Sequence, residues 1–118
     1  MILVDTSVWI EHFRTGDIGL DTPLSAGQVV CHPFIAGELA CGNLKNRSHV
    51  LSLLDTLPKA RLAEHEEVML VIDKYHLMGK GLGYIDMHLL VSAMLTPVRL
   101  WTLDKRLATV SSTLGIKW

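Results

Sequence analysis

The first seven residues, MILVDTS, constrain the fold most, because four apolar residues run directly into an acid and two hydroxyls. An apolar run of this length without polar alternation is typical of a buried strand in a parallel sheet. Asp5 then falls at the carboxyl end of that strand, where open α/β sheets bind their ligands. The string therefore predicts an α/β fold with a useful carboxylate at one edge of its sheet.

The rest of the chain alternates between strand-like and helix-like patterns. We expect strands over residues 2–5, 28–32, 99–103 and 116–118, with a short one at 61–63. We expect helices over residues 7–14, 34–42, 48–57, 66–78, 85–95 and 104–114, with a helical turn around 22–25. Thr6 or Ser7 is expected to cap the first helix, and Gly79 to end the helix over 66–78. Strands separated by helices predict a central parallel sheet flanked by helices on both faces.

Length and hydrophobicity limit the class of protein further. At 118 residues, with no repeat or linker, the chain predicts a single domain over 1–118. Its hydrophobic content of 49% is high for so small a domain, so either the core is dense or a partner or second copy covers apolar surface. The longest uncharged stretch, residues 22–37, contains two prolines and two glycines and does not predict a membrane-spanning helix. No basic segment typical of a signal peptide precedes the first strand, so we expect a cytoplasmic protein.

Charge and cysteine content exclude several functions. The net charge of −1 offers no general basic field, which argues against nonspecific DNA binding. Cys31 and Cys41 lack CxxC spacing and are expected to be buried free thiols. The six histidines form no HExxH motif, so a zinc site is not predicted.

Four acids stand in unusual settings in four separate segments: Asp5, Glu38, Asp86 and Asp104. If folding brings them together, each pair at 4 Å repels by about 4 kcal/mol at an effective dielectric near 20, so the group takes up protons or binds cations. All-oxygen ligands favour Mg²⁺ or Mn²⁺ over zinc, and two such ions balance four carboxylates in two-metal phosphodiester hydrolysis. The alternative is that Asp5, Asp86 and Asp104 only stabilise helix N-termini.

The segments VDTSVWIEHF, PFIAGELACG, GYIDMHLLVSAML and LWTLDKRL, in this order, resemble the PIN-domain ribonucleases, and more closely the VapC toxins of type II toxin–antitoxin systems. The resemblance covers nearly the whole chain. It implies metal-site and catalytic roles for Asp5, Glu38, Asp86 and Asp104, with Thr6 or Ser7 as the accompanying hydroxyl. Asp104 occupies the family's most variable position, so a role beside the ligands is expected more than direct ligation. Tyr84 stands where many relatives carry a further acid, so a fifth ligand is not expected.

The resemblance also implies what the protein does. Proteins of this family are endoribonucleases that depend on Mg²⁺ or Mn²⁺ and cleave structured RNA, often transfer RNA. They are held inactive by a cognate VapB antitoxin, and they are usually homodimers. We therefore expect a toxin that hydrolyses RNA with a metal-activated water, with a VapB-like antitoxin as partner.

The sequence leaves open two other functions and the roles of two segments that carry basic residues. A phospho-receiver domain has a similar size and holds Mg²⁺ with acids, but it needs an acidic pair where this chain has Asp5 alone. A catalytically silent antitoxin-binding module would have no use for the acid set. The glycine loop over 79–83 either connects two elements or admits a phosphate, and Lys105 and Arg106 either contact RNA or form a solvated helix turn.

Overall fold

In the computed structural model, which describes residues 1–118, three strands alternate with seven helices. The strands are β1 (Ile2–Val4), β2 (Val29–Val30) and β3 (Arg99–Trp101). The helices are α1 (Thr6–Thr15), α2 (Asp21–Ser25), α3 (Pro33–Cys41), α4 (Arg47–Thr56), α5 (His65–Lys74), α6 (Tyr84–Leu95) and α7 (Lys105–Thr113). The predicted α/β class is confirmed.

The sheet is parallel and has β1 at its centre, in the order β2-β1-β3. Leu3 pairs with Val30 on one side and with Leu100 on the other. Ile2, Leu3 and Val4 are all fully buried. Since successive side chains of a strand point to opposite faces, both faces of the sheet are covered by other elements, as the unbroken apolar run predicted.

Single bridges extend the sheet at both edges, and one of them corrects a predicted strand. Cys31 pairs in parallel with Lys59, not with residues 61–63. The Ala60 N–H donates to the Cys31 carbonyl at 2.8 Å, whereas the Arg61 N–H donates to the Thr96 hydroxyl at 2.9 Å. The chain therefore leaves the sheet at residue 61. At the other edge, the predicted strand over 116–118 is reduced to one bridge between Lys117 and Leu100.

The helix predicted over 66–78 ends earlier than Gly79. It runs from His65 to Lys74, because His76 adopts a left-handed backbone with φ of 53° that no helix accommodates. The Leu77 N–H then donates to the Ile72 carbonyl at 3.0 Å and closes the end of the helix. A histidine in this conformation gives no clear signal in the sequence, which instead predicts Gly79 as the end of the helix.

The core is a single cluster of 25 buried hydrophobic residues, to which β1 and α6 contribute heavily. Apolar side chains also remain exposed, among them Leu62 at 59% and Leu70 at 68%. Cys31 is a buried free thiol, but Cys41, at the end of α3, is exposed, so its predicted burial is wrong. None of the helices has the length and apolar character that crossing a membrane requires.

Candidate metal centre

Asp5 lies where β1 ends and α1 begins, and two hydroxyls fix its carboxylate. Its backbone N–H continues the sheet by donating to the Trp101 carbonyl at 2.9 Å. The side chain is only 8% exposed, and its Oδ2 accepts hydrogen bonds from Ser7 Oγ and Thr102 Oγ1, both at 2.8 Å. The carboxylate is therefore held in one orientation at the carboxyl edge of the sheet.

The Thr6 and Ser7 hydroxyls of α1 donate hydrogen bonds to acidic side chains and do not cap the helix. The N-cap residue is Asp5, and its side chain makes no capping hydrogen bond. The prediction that Thr6 or Ser7 caps this helix is wrong, since both lie inside its first turn. Ser7 donates to Asp5, and Thr6 Oγ1 donates to Glu38 Oε1 at 3.1 Å. Both residues are thus placed to orient the predicted ligands.

Glu38 is exposed on α3 and reaches the site through Thr6. Its helix begins at Pro33, a residue that suits the first turn because it lacks an N–H to satisfy. The hydrogen bond to Thr6 links α3 to α1, next to Asp5 in the chain. Glu38 and Asp5 therefore lie on the same side of the sheet edge.

Asp86 lies half-buried in the first turn of α6, and two of the other acids affect its pKa. Its Oδ2 accepts the Gly83 N–H at 3.1 Å. Desolvation by burial raises the pKa of Asp86, and the nearby carboxylates of Asp5 and Asp104 raise it further. Negative charge from three carboxylates therefore accumulates at this edge of the sheet without a cation to offset it.

Asp104 caps α7, and Thr102 joins it to Asp5. Asp104 Oδ1 accepts the Leu107 N–H at 3.0 Å, and its own N–H donates to Thr102 Oγ1 at 3.1 Å. Thr102 is therefore an additional site residue, which the sequence analysis did not single out. Its place just beyond β3 and two residues before an acid is the only signal that the sequence carries.

The four acids lie at one edge of the sheet, but their carboxylates do not form a complete metal-coordination site. No group of three or more His, Cys, Asp or Glu side chains is arranged to hold a metal ion as it stands. Each carboxylate nevertheless has one oxygen engaged by a protein donor and one oxygen without a hydrogen bond. This all-oxygen donor set fits Mg²⁺ or Mn²⁺ chemically.

A row of aromatic rings runs along the face of α6 that carries Tyr84 and His88. The Tyr84 hydroxyl and His65 Nδ1 share a hydrogen bond of 2.6 Å, and the Tyr84 ring packs edge-on against His88 with centroids 4.5 Å apart. Phe34, in the first turn of α3, lies 5.2 Å from His88. The row joins α3 to α6, the helices that carry Glu38 and Asp86. Tyr84 is engaged with His65 and does not replace a carboxylate.

His32 caps α3 and stays neutral. It is 1% exposed, and its Nδ1 accepts the Phe34 N–H at 3.0 Å, so the proton of the neutral ring lies on Nε2. Desolvation by burial, with a smaller contribution from His88, lowers the pKa of His32 to about 4. In the unfolded chain the ring takes up its proton near pH 6.5.

Replacing His32 with Asn is expected to flatten the acid side of the stability profile. Between pH 6.5 and about 4 the unfolded chain binds the proton that the folded chain refuses, so the free energy of unfolding falls as the pH decreases. The loss reaches about 3 kcal/mol for this shift. Asn retains a capping acceptor and does not titrate. Urea unfolding at pH 4.5 and 7 measures the difference, with the exposed His49→Asn as control. An equal pH dependence in wild type and His32→Asn would contradict this role.

Curated proteins include relatives that match nearly the whole chain. No family model matches the sequence. The chain is 44% identical over 117 residues to ribonuclease VapC32 of Mycobacterium tuberculosis, in strains CDC 1551 / Oshkosh and H37Rv, with 98% of this chain and 94% of the relative covered. The crystal structure of PAE2754 from Pyrobaculum aerophilum is similar with a TM-score of 0.61 and 17% identity, covering 97% of this chain and 88% of that one. At that identity the structural likeness supports the fold alone.

Proposed function

The chain belongs to the VapC family of PIN-domain ribonucleases, and we propose that its four carboxylates hold a divalent cation for cleavage of structured RNA. As a family member it is an endoribonuclease of the toxin class, a hydrolase of phosphodiester bonds. The 44% identity favours this function over a phospho-receiver domain. We take transfer RNA as the first candidate substrate.

The observation that carries the metal proposal is the free oxygen on each carboxylate. Asp5, Glu38, Asp86 and Asp104 each use one oxygen in a protein hydrogen bond and keep the other available. The four charges are uncompensated, since none of these acids is in a salt bridge. When bound, Mg²⁺ or Mn²⁺ lowers the pKa of water and offsets the negative charge that develops on the phosphodiester.

The chain's own residues have distinct parts in this proposal. Asp5 is the central ligand, because it is the most buried of the acids and two hydroxyls hold its Oδ2. Thr6 orients Glu38 by its hydrogen bond. Ser7 and Thr102 are positioning residues, whose hydroxyl protons point at Asp5 and keep its second oxygen turned toward the site. Asp104 Oδ1 caps α7, which leaves Oδ2 free to contact the cation directly or to lie beside the substrate.

The surroundings of the enzyme are part of the proposal. Residues 1–118 form one PIN domain, consistent with their single core cluster. The cognate partner is a VapB-like antitoxin, and the enzyme acts as a homodimer in the cytoplasm. Exposed apolar side chains give such partners surface to cover, namely Leu62, Met69, Leu70 and Met78.

The test of this function is cleavage of RNA by the purified chain. Incubation with transfer RNA and with total RNA in Mg²⁺ or Mn²⁺ is expected to yield discrete fragments on a sequencing gel. EDTA removes the cation and is expected to abolish cleavage. Fragments that persist in excess EDTA would exclude the metal, and intact RNA under every cation tried would leave the silent antitoxin-binding module as the better description.

A further inference from the structure

Arg106 lies against the glycine loop that leads to Asp86. It lies in the first turn of α7, two residues after Asp104. A Cβ placed on Gly81 would lie 2.7 Å from Arg106 Cδ and 2.9 Å from its Nη1. Gly81 also has a φ of +79°, a backbone that favours glycine. A side chain at position 81 would therefore push the exposed arginine side chain off the loop.

The Arg106 guanidinium has no partner within the protein. The ion pairs of the chain are Arg14 with Glu11 and His12 with Asp21, and Arg106 makes no side-chain hydrogen bond. A planar fork of five N–H donors is thus in place with its donors unused.

The position of Arg106 connects it to two candidate ligands. The loop on which it lies continues to Gly83, whose N–H holds Asp86, and its own helix begins at Asp104. A phosphodiester that approaches these acids meets uncompensated negative charge. A guanidinium at the same edge offsets that repulsion, and its geometry matches two phosphate oxygens at once.

We propose that Arg106, seated on Gly81, binds a backbone phosphate of the RNA next to the bond that is cleaved. The inference rests on the proposed function, since it assigns a substrate contact to the same site. It also separates two neighbouring basic residues that the sequence left equivalent. Lys105 lines a groove of about 480 Å³ on another face of α7, with Ala108, Thr109, Ser112, Thr113 and Lys117. Arg106 is thus the phosphate ligand, and Lys105 is not.

RNA binding in the absence of cleavage tests the proposal. Fluorescein-labelled transfer RNA is titrated with the Asp5→Asn protein, alone and with Arg106→Ala, Arg106→Lys, Gly81→Ala or Lys105→Ala added, at several NaCl concentrations. Arg106→Ala is expected to weaken binding about 10-fold and to reduce the slope of log K against log salt by about 0.7, the value for one phosphate contact on a single strand. Arg106→Lys keeps the charge but not the fork and is expected to lose about 3-fold.

The matched variants separate a local contact from general charge. Lys105→Ala removes the same charge one residue away and is expected to leave the Kd within about 2-fold. Gly81→Ala keeps the charge but displaces the guanidinium, and it is expected to weaken binding as Arg106→Ala does. Thermal unfolding verifies that each variant folds, and if Gly81→Ala does not, the two Arg106 variants decide alone.

Each outcome has a definite reading. Equal losses from Arg106→Ala and Lys105→Ala, or unchanged RNA binding in Arg106→Ala, would overturn the proposal while leaving RNA cleavage by the parent chain intact. A loss of antitoxin binding with unchanged RNA binding would assign Arg106 to the protein partner and also overturn it. Arg106-dependent binding by a chain that never cleaves RNA would refute the proposed function and support the contact.

Discussion

Replacing Asp5 with Asn is expected to lower RNA cleavage by about 100-fold or more, with the fold preserved. Changes beside a metal site commonly cost 10- to 100-fold, and Asp5 is the proposed central ligand. The amide has the shape of the carboxylate, and its oxygen can still accept the bonds from Ser7 and Thr102. Only the charge is lost. Single-turnover cleavage of transfer RNA and Mn²⁺ titration by calorimetry measure the effect.

Stability distinguishes this change from damage to the fold. Removing the Asp5 charge relieves repulsion of Asp86, so the melting temperature in EDTA is expected to stay equal or to rise near neutral pH. Asp73→Asn, an exposed acid of α5, is the control and is expected to change neither cleavage nor Mn²⁺ affinity. Full activity in Asp5→Asn would remove this residue from the site.

Thr102→Val is expected to lower RNA cleavage by less than Asp5→Asn does. The variant keeps the shape of the side chain and loses the hydroxyl that donates to Asp5 and accepts from the Asp104 N–H. Because the Ser7 hydroxyl remains on Asp5, we expect a smaller loss of cleavage than in Asp5→Asn. A loss as large as that of Asp5→Asn would make Thr102 more than a positioning residue.

Trp9→Ala is expected to lower the free energy of unfolding by about 3–5 kcal/mol, the usual cost of removing a buried aromatic side chain. Trp9 is fully buried on α1, and its ring stacks on Phe13 with centroids 5.8 Å apart. A domain of this size is typically stable by about 5–15 kcal/mol, so the variant is close to unfolding. Urea unfolding at pH 7 measures the change.

Two matched variants identify packing as the cause. Ile10→Ala alters the next residue of α1, which is 51% exposed, and is expected to cost less than about 0.5 kcal/mol. Trp9→Phe keeps an aromatic ring and removes an indole N–H that is buried without a partner, so it is expected to cost less than Trp9→Ala. Equal costs for Trp9→Ala and Ile10→Ala would mean that α1 is not anchored by Trp9.

The packing of Trp9 also affects the candidate metal centre. The helix that Trp9 fixes also carries Thr6 and Ser7, whose hydroxyls orient Glu38 and Asp5. A loosened α1 is therefore expected to reduce cleavage at temperatures where the protein is still largely folded. Both the stability of the fold and the proposed catalysis therefore depend on the position of α1.

The sequence determined those features that depend on neighbouring residues. The apolar run before Asp5 identified the central strand, because a strand buried on both faces leaves no polar alternation. Pro33 marks the start of α3 and Gly16 the end of α1, since proline restricts and glycine frees the backbone locally. Asp5, Glu38 and Asp86 stand out in the sequence because each lies in an apolar segment that rarely carries a charge, and Asp104 because it follows a strand pattern. The family resemblance rests on these same short segments and was confirmed.

Only the tertiary structure decided which side chains meet. Thr102 donates a hydrogen bond to Asp5, which lies 97 residues away in sequence. The Arg106 side chain of α7 packs against Gly81 in the glycine loop. Neither contact has a local pattern, because both arise from the parallel crossovers that bring β1, β3 and the glycine loop to one edge. The end of α5 also depended on an unexpected backbone, the left-handed conformation of His76. The sequence thus determined the strand that carries Asp5 and the acids that accompany it, while packing decided which hydroxyls fix that carboxylate and which arginine stands beside it.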